Sequence, residues 1–398
     1  MSKRFQGGIL GVGFNPLQAP NAPTNVTASG GNTSASVSFT APSNVGGSAI
    51  TGYTVQSNPG GIGATGSASP ISVTGLTNGT AYTFQVWALN TYGPSPAGGP
   101  SGSVTPSLQR GLFAGGVNSG GSPVNTIDYI DITTTGNATN FGNLTVARYN
   151  FSGGCASSSR GVFTGGYDNV NSLNTIDYVT IATTGNATTF GQLTYGGRNS
   201  AACSSDTRGV IYPCDSSSSS VLNYITIAST GNAVVFGDLS YTANAVASTA
   251  ATGRGLFAGG LSGGSNTTQI AYVTIATTGN AIAFGSLTLA RRGMAAASSP
   301  TRSVFAGGYT SVSVNNMDYV TTATTGNAVS FGALSVARNS PGGVSSPTRA
   351  VFGGGSLSTT DVMDFVTIAT TGNAANFGSL TVARGNLASV SSSHGGLA

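Results

Sequence analysis

From residue 110 onward, apolar and polar positions alternate in short runs, and the runs recur. Six copies of one unit open at Arg110, Arg160, Arg208, Arg254, Arg302 and Arg349, giving spacings of 50, 48, 46, 48 and 47 residues. In the second copy the alternation predicts strands over 160–166, 176–183 and 187–193. A fourth segment, 199–207, is almost wholly Ala, Ser, Gly and Cys, small enough for strands that converge where room is scarce. The first of these strands ends in a Gly-Gly doublet, which permits a tight departure at positive φ. Every copy also carries Thr-Gly-Asn-Ala ahead of Phe-Gly-x-Leu, with glycines Gly136, Gly185, Gly231, Gly279, Gly326 and Gly372 and phenylalanines Phe141, Phe190, Phe236, Phe284, Phe331 and Phe377. Gly-Asn between two alternating runs predicts a two-residue hairpin turn, because both residues take positive φ at little cost.

A period in this range, with several short strands per unit and no helical periodicity, belongs to a propeller blade. The strand-ending Gly-Gly and the downstream aromatic resemble the kelch repeat over residues 110–394. Phe stands where kelch repeats usually carry Trp, and Pro213-Cys214 replaces the doublet in the third copy. The resemblance implies a six-bladed β-propeller. Arg110 opens at a second strand, and one small-residue segment, 387–392, is left over at the far end. That segment is expected to complete the first blade and remove an exposed sheet edge.

Between Pro20 and Ser107 the pattern changes to strands expected over 34–40, 50–56, 71–74 and 82–89, separated by Gly, Pro, Asn and Ser turns. The run from Leu76 to Asn90 resembles the fibronectin type III signature. It places Tyr82 as the residue of a tyrosine corner, Phe39 where the family carries a core Trp, and residues 20–26 as the opening strand. The resemblance implies a β-sandwich that acts as a spacer or binding module. The chain therefore reads as all-β: an arm over 1–19, a fibronectin type III sandwich over 20–107, and a six-bladed kelch-like propeller over 108–398 closed by its last strand.

Composition narrows the chemistry. All ten acidic residues are Asp and Lys3 is the only lysine, so the best charged helix formers are nearly missing and long helices are excluded. Beyond Lys3 and Arg4, the basic residues are the six unit openers, then Arg148, Arg198, Arg291, Arg338 and Arg384 after the Phe-Gly strand, with Arg292 adjacent. Arginine repeated with the blade is expected to bond its fork to loop carbonyls, so the +4 balance implies no nucleic-acid partner. No stretch reaches the length of a spanning segment, and no membrane insertion is expected.

Cys155 and Cys203 share one repeat position and read as small buried hydrophobes, while Cys214 follows Pro213; neither a disulfide framework nor a zinc site is expected. His394, the single histidine, stands where a unit opener would and reads as structural. Without Glu or a second His, the common hydrolytic constellations are missing, so no catalytic residue, cofactor or metal is expected. Asp128, Asp177, Asp318 and Asp364 share a position held by Asn223 and Ala271 elsewhere, and are expected on strand surfaces, bonded to a neighbouring blade. Recognition is expected on the variable loops between second and third strands, with Tyr167, Asp168, Asn169, Tyr309, Asn118 and Asn266 as candidate contacts for a host-surface carbohydrate or protein. Phe5, Ile9, Leu10 and Phe14 are expected to dock the arm on a partner. The Gly, Ser, Thr and Asn-rich blades, nearly free of Lys and Glu, look like structural proteins of tailed bacteriophages. That likeness implies a virion component whose arm docks on other virion proteins. A decoration or connector role without receptor binding is one alternative, and a glycan-active propeller enzyme is another.

Overall fold

The computed structural model describes residues 17–149, 153–214, 219–356 and 359–397, so the docking candidates Phe5, Ile9, Leu10 and Phe14 lie outside the described residues. The described chain is all-β apart from one short 3-10 turn, Gly395–Leu397. It divides into two compact units, Met1–Leu108 and Gln109–Ala398. No helix among the described residues is long and apolar enough to cross a membrane.

The first unit is a sandwich of two sheets. Strands β1 (Thr24–Gly31), β2 (Ser34–Thr40) and β5 (Ile71–Thr74) form one, in the order β1-β2-β5. Strands β3 (Gly52–Asn58), β4 (Gly63–Gly66), β6 (Thr83–Asn90) and β7 (Gly93–Pro94) form the other, in the order β4-β3-β6-β7. Period-two alternation buries Val37, Val55, Val73, Phe84, Val86 and Ala88 completely. Phe39 fills the expected core position, its ring 4.7 Å from that of Tyr53. Buried Tyr82 accepts the Thr77 N–H at 3.1 Å, forming the expected corner. The opening strand starts at Thr24 rather than at Pro20; Pro20 and Pro23 lack the N–H a strand ladder uses.

The second unit contains six four-stranded antiparallel sheets. In the second of them the order is Gly154–Ala156, Arg160–Thr164, Thr175–Thr180, Thr188–Gln192. The small-residue strands are the inner ones: each packs beside that of the next sheet, and the sixth beside the first. The first sheet is completed, as expected, by the last strand of the chain, Ala388–Ser391, with Val390 opposite Leu112. Five Gly-Gly doublets leave the second strand at positive φ, for example Gly165 at 67° and Gly166 at 107°.

Each repeated Phe is the extra residue of a β-bulge. Ile176 pairs with Gly191 and Asp177 with Thr189, so Phe190 has no partner across the ladder, and the same shift falls at the other five phenylalanines. A bulge re-aims its side chain, and here it turns the ring inward. Phe190 is buried edge-on against Tyr178, ring centres 6.0 Å apart, and the Arg160 guanidinium stands 4.4 Å over that Tyr ring.

The Gly-Asn pair is not a hairpin turn, contrary to the sequence expectation. Neither Gly185 nor Asn186 has positive φ. The pair instead joins the preceding sheet: Gly185 N–H donates to the Phe141 carbonyl at 2.8 Å, Ala187 N–H to the Asn143 carbonyl at 2.8 Å, and Asn143 N–H to Asn186 Oδ1 at 3.0 Å. The physical reason is the bulge, which disrupts the ladder at Phe141 and leaves its carbonyl to a partner outside its own sheet. All six boundaries repeat these bonds, the sixth-to-first included, where Gly136 N–H donates to Phe377 and Ala138 N–H to Ser379. A two-residue turn with both φ positive does occur, at Gly263 (57°) and Gly264 (84°), between the short strands Leu261–Ser262 and Ser265–Asn266.

Candidate recognition surface

The arginines of the second unit are largely consumed in holding sheets together. Each unit opener bonds backbone carbonyls, as expected, and the structure places those carbonyls on the next sheet: Arg160 donates to the Ile227 carbonyl at 2.8 Å, and Arg349 to those of Ile132 and Thr133 at 3.1 and 2.7 Å. Arg148, Arg291, Arg338 and Arg384 are buried and paired with Asp177, Asp318, Asp364 and Asp128 of the following sheet at 3.1, 2.9, 2.5 and 3.1 Å. These aspartates bond to a neighbour as expected, but they are buried rather than on strand surfaces. Burial lowers the Arg148 and Arg291 pKa values from the ordinary one, opposed by the facing carboxylates. A Thr or Ser hydroxyl completes the carboxylate shell, Thr145 donating to Asp177 at 2.7 Å.

Two boundaries lack that ion pair and solve the same problem differently. Counted from the repeated Phe, the arginine position is Gly197 before Asn223 and Ala243 before Ala271. Two residues earlier, where the other units have Val or Leu, stand Tyr195 and Tyr241. The Tyr241 hydroxyl lies 3.4, 3.2 and 3.4 Å from the carbonyls of Phe257, Gly259 and Gln269. Arg291 uses the equivalent carbonyls of Phe305 and Gly307, and Arg338 those of Gly354 and Val362. Burial pushes the Tyr241 hydroxyl pKa well up, which keeps it a donor. Arg198, displaced by one residue from the repeat position, lies instead 4.7 Å over the Tyr167 ring.

The loops between second and third strands share one side of their sheets with the links that leave the fourth strand, because strand direction alternates. Tyr149 in such a link bridges to Tyr167 in such a loop, and Arg292 to Tyr309. The candidate residues divide on this geometry. Tyr167 packs edge-on with Tyr149 at 5.8 Å under Arg198. Asn169, at φ 79°, accepts the Tyr149 hydroxyl at 2.8 Å. Tyr309 lies 4.7 Å beneath Arg292, whose guanidinium donates to Asn266 Oδ1 at 3.2 Å, and Asn266 Nδ2 donates to the Tyr309 and Thr310 carbonyls at 3.1 and 2.9 Å.

Asp168 and Asn118 serve their own loops. Asp168 Oδ1 accepts the N–H groups of Asn171 and Val170, which lower its carboxyl pKa, and Asn118 Oδ1 accepts those of Gly120 and Ser122. The structure thus gathers Tyr167 with Asn169 in one cluster and Tyr309 with Asn266 in another. It adds residues that sequence reasoning missed: Tyr149, Arg198, Arg292, and the loop-tip valines Val170 and Val312, exposed by 76% and 62%. The shared spacing of Tyr167 to Val170 and Tyr309 to Val312 was the available signal. Of the six variable loops, those at 215–220 and 356–361 lie partly outside the described residues.

The inner strands enclose a cavity of about 60 Å³, room for a few water molecules. Its hydroxyls are tied to adjacent strands: Ser204 donates to the Ala156 carbonyl at 2.9 Å, Ser248 to Ala202 at 2.8 Å and Ser389 to Gly343 at 2.8 Å. Cys155 and Cys203 are free and buried, and burial raises the Cys155 pKa to about 12, so both are inert hydrophobes as expected. His394 is packed in the same region, its Nε2 3.2 Å from the Ala156 carbonyl and its Nδ1 accepting the Gly396 N–H at 3.1 Å. Burial lowers its pKa to about 4. Among the described residues, no group of three His, Cys, Asp or Glu side chains is placed to hold a metal.

Compared with known families, residues 21–103 match the fibronectin type III domain, in agreement with the sandwich, its core and the Tyr82 corner. Among curated proteins, none matches the chain.

Proposed function

We propose that residues 108–398 form a six-bladed, kelch-like β-propeller, and that the protein is a non-enzymatic structural component of a bacteriophage virion. Its N-terminal arm docks on other virion proteins through Phe5, Ile9, Leu10 and Phe14, and its loop face meets a host-surface glycan or protein. The propeller reading is supported by bonds that run from each sheet to the next and from the sixth back to the first, in the same pattern. One observation carries the recognition role. The repeated charges of the scaffold are spent between sheets, while the loops diverge and lift Val170 and Val312 into solvent beside Tyr167 and Tyr309. Arginines bound to carbonyls and aromatic faces favour a partner other than nucleic acid.

The test is binding of the intact protein, and of a form lacking residues 1–19, to candidate host cells and to particles stripped of the protein. The expected result is that cell binding survives loss of the arm and falls in Tyr167→Ala, while particle binding requires the arm. Particle binding alone, with no cell binding by either form, would overturn the recognition role in favour of a decoration or connector protein.

A further inference from the structure

The second sheet of the sandwich has an outward face that the fold itself does not use. Alternation along β3 and β6 sends Tyr53, Val55, Phe84, Val86 and Ala88 inward and leaves Thr54, Gln56, Gln85, Trp87 and Leu89 on the other side. Thr54 pairs across the ladder with Trp87, and Gln56 with Gln85. Trp87 is the only tryptophan of the chain, and it stands half-buried in an open trough of about 340 Å³, lined also by Thr54, Gln56, Gly63, Leu89 and Pro94. Gly63 has no side chain to cover the ring, and a Cβ there would make only an ordinary contact with the Val55 carbonyl at 3.5 Å.

What such a trough can hold is limited by charge. From Phe5 through Gln109 there is no Asp, Glu, Lys, Arg or His. An ionic ligand would give up water here and find no counter-charge. A protein partner needs roughly 1,000 Å² of buried surface, far more than one Trp, one Leu and one Pro present. An uncharged ring with an apolar face and a polar edge suits both parts: its C–H face packs on the indole, and its hydroxyls reach Thr54 and Gln56 in the same lining. We infer that the outward face of β3 and β6 around Trp87 is a binding site for a neutral saccharide, separate from the loop face of the second unit.

Because Trp87 is the only tryptophan, its fluorescence, excited at the red edge where tyrosine does not absorb, reports this trough alone. The intact protein is titrated with a panel of neutral oligosaccharides (linear glucans, mannans, xylans, chitin oligomers) and with charged ones (sialylated and sulfated), at low and high salt. The expected result is a saturable shift of Trp87 emission with at least one neutral oligosaccharide, at about millimolar affinity or better, with a midpoint insensitive to salt. By calorimetry Trp87→Ala weakens that binding about tenfold or more and Trp87→Phe less. Gly63→Leu, which fills the trough and keeps the indole, blocks it. Tyr92→Ala, which removes an aromatic ring exposed by 48% but outside the trough, leaves it unchanged. The inference is overturned by no saturable response to any neutral member of the panel, by a response to charged members only, or by an emission shift that follows protein concentration without sugar, which would mean self-association. None of these outcomes bears on cell binding by the loops.

Discussion

Gly185 and Gly191 stand in one repeated motif, yet a Cβ at Gly191 would collide with the Gly231 carbonyl of the next sheet, whereas one at Gly185 would meet nothing within 4 Å. The same collision recurs at Gly142, Gly237, Gly285, Gly332 and Gly378, so the glycine after each Phe is required by close approach of the neighbouring backbone. Gly191→Ala is therefore expected to cost about 1–3 kcal/mol, as overpacking does. Gly185→Ala is expected to leave stability unchanged or to raise it by up to about 1 kcal/mol, through the unfolded chain. Urea midpoints of the two variants check this; equal losses at both positions would refute the contrast. Why Gly precedes Asn in all six copies has no steric explanation in the structure.

At the scale of the element, the unit of stability is the boundary between two sheets. Removing Arg291 leaves the buried Asp318 carboxylate with its Thr288 bonds but without its countercharge, which is expected to cost about 3–5 kcal/mol. Arg291→Ala with Asp318→Ala should cost less than Arg291→Ala alone, and adding Leu289→Tyr should recover more, since that triple recreates the Tyr241, Ala243 and Ala271 boundary. Thermal midpoints across the series measure the coupling; a double variant worse than the single one would remove the argument. These elements also show how far the sequence could be read. Strand positions, the completing last strand and the Arg-to-carbonyl bonds were legible because period and residue type determine them locally. The Gly-Asn segment was misread because its partner lies in another unit, beyond the reach of a turn rule. Tyr241 escaped notice for a related reason: it replaces an arginine two positions away, a substitution visible only once its hydroxyl is seen at the carbonyls equivalent to those that Arg291 and Arg338 use. At the candidate surface, loop variability pointed to Tyr167 and Tyr309, but which loop polar groups face solvent and which satisfy their own backbone is decided by bonds no composition reveals.

Across the whole molecule, the segment after the last strand ties distant parts together. Ser393 donates to the Ser345 carbonyl at 3.4 Å, His394 approaches Ala156 and Ser204, and Gly395–Leu397 packs on the inner strands Ala201–Ser204, Ala247–Ala251 and Ala295–Ser298. His394 is thus held neutral among several sheets at once. Its folded pKa of about 4 lies below the ordinary 6.5, so the unfolded chain binds the extra proton between these values and stability falls as pH drops through that window. The loss is expected to reach about 3 kcal/mol at most. His394→Gln should flatten stability against pH between 6.5 and 4, measured by urea unfolding at several pH values; an unchanged slope would assign the acid sensitivity elsewhere. The boundaries, meanwhile, constrain how such a molecule can be inherited. Were one sheet to be copied in tandem, the matched pair would still sit half in one copy and half in the next. Copies of the first, fifth and sixth sheets would fit themselves, carrying both Asp and Arg. Two successive copies of the fourth would bury Arg291 against Ala271, and two of the second would leave Asp177 facing Gly197. Gly197 is therefore matched to Asn223, and Ala243 to Ala271, so the third sheet suits neighbours such as the second and the fourth and not arbitrary copies of the others.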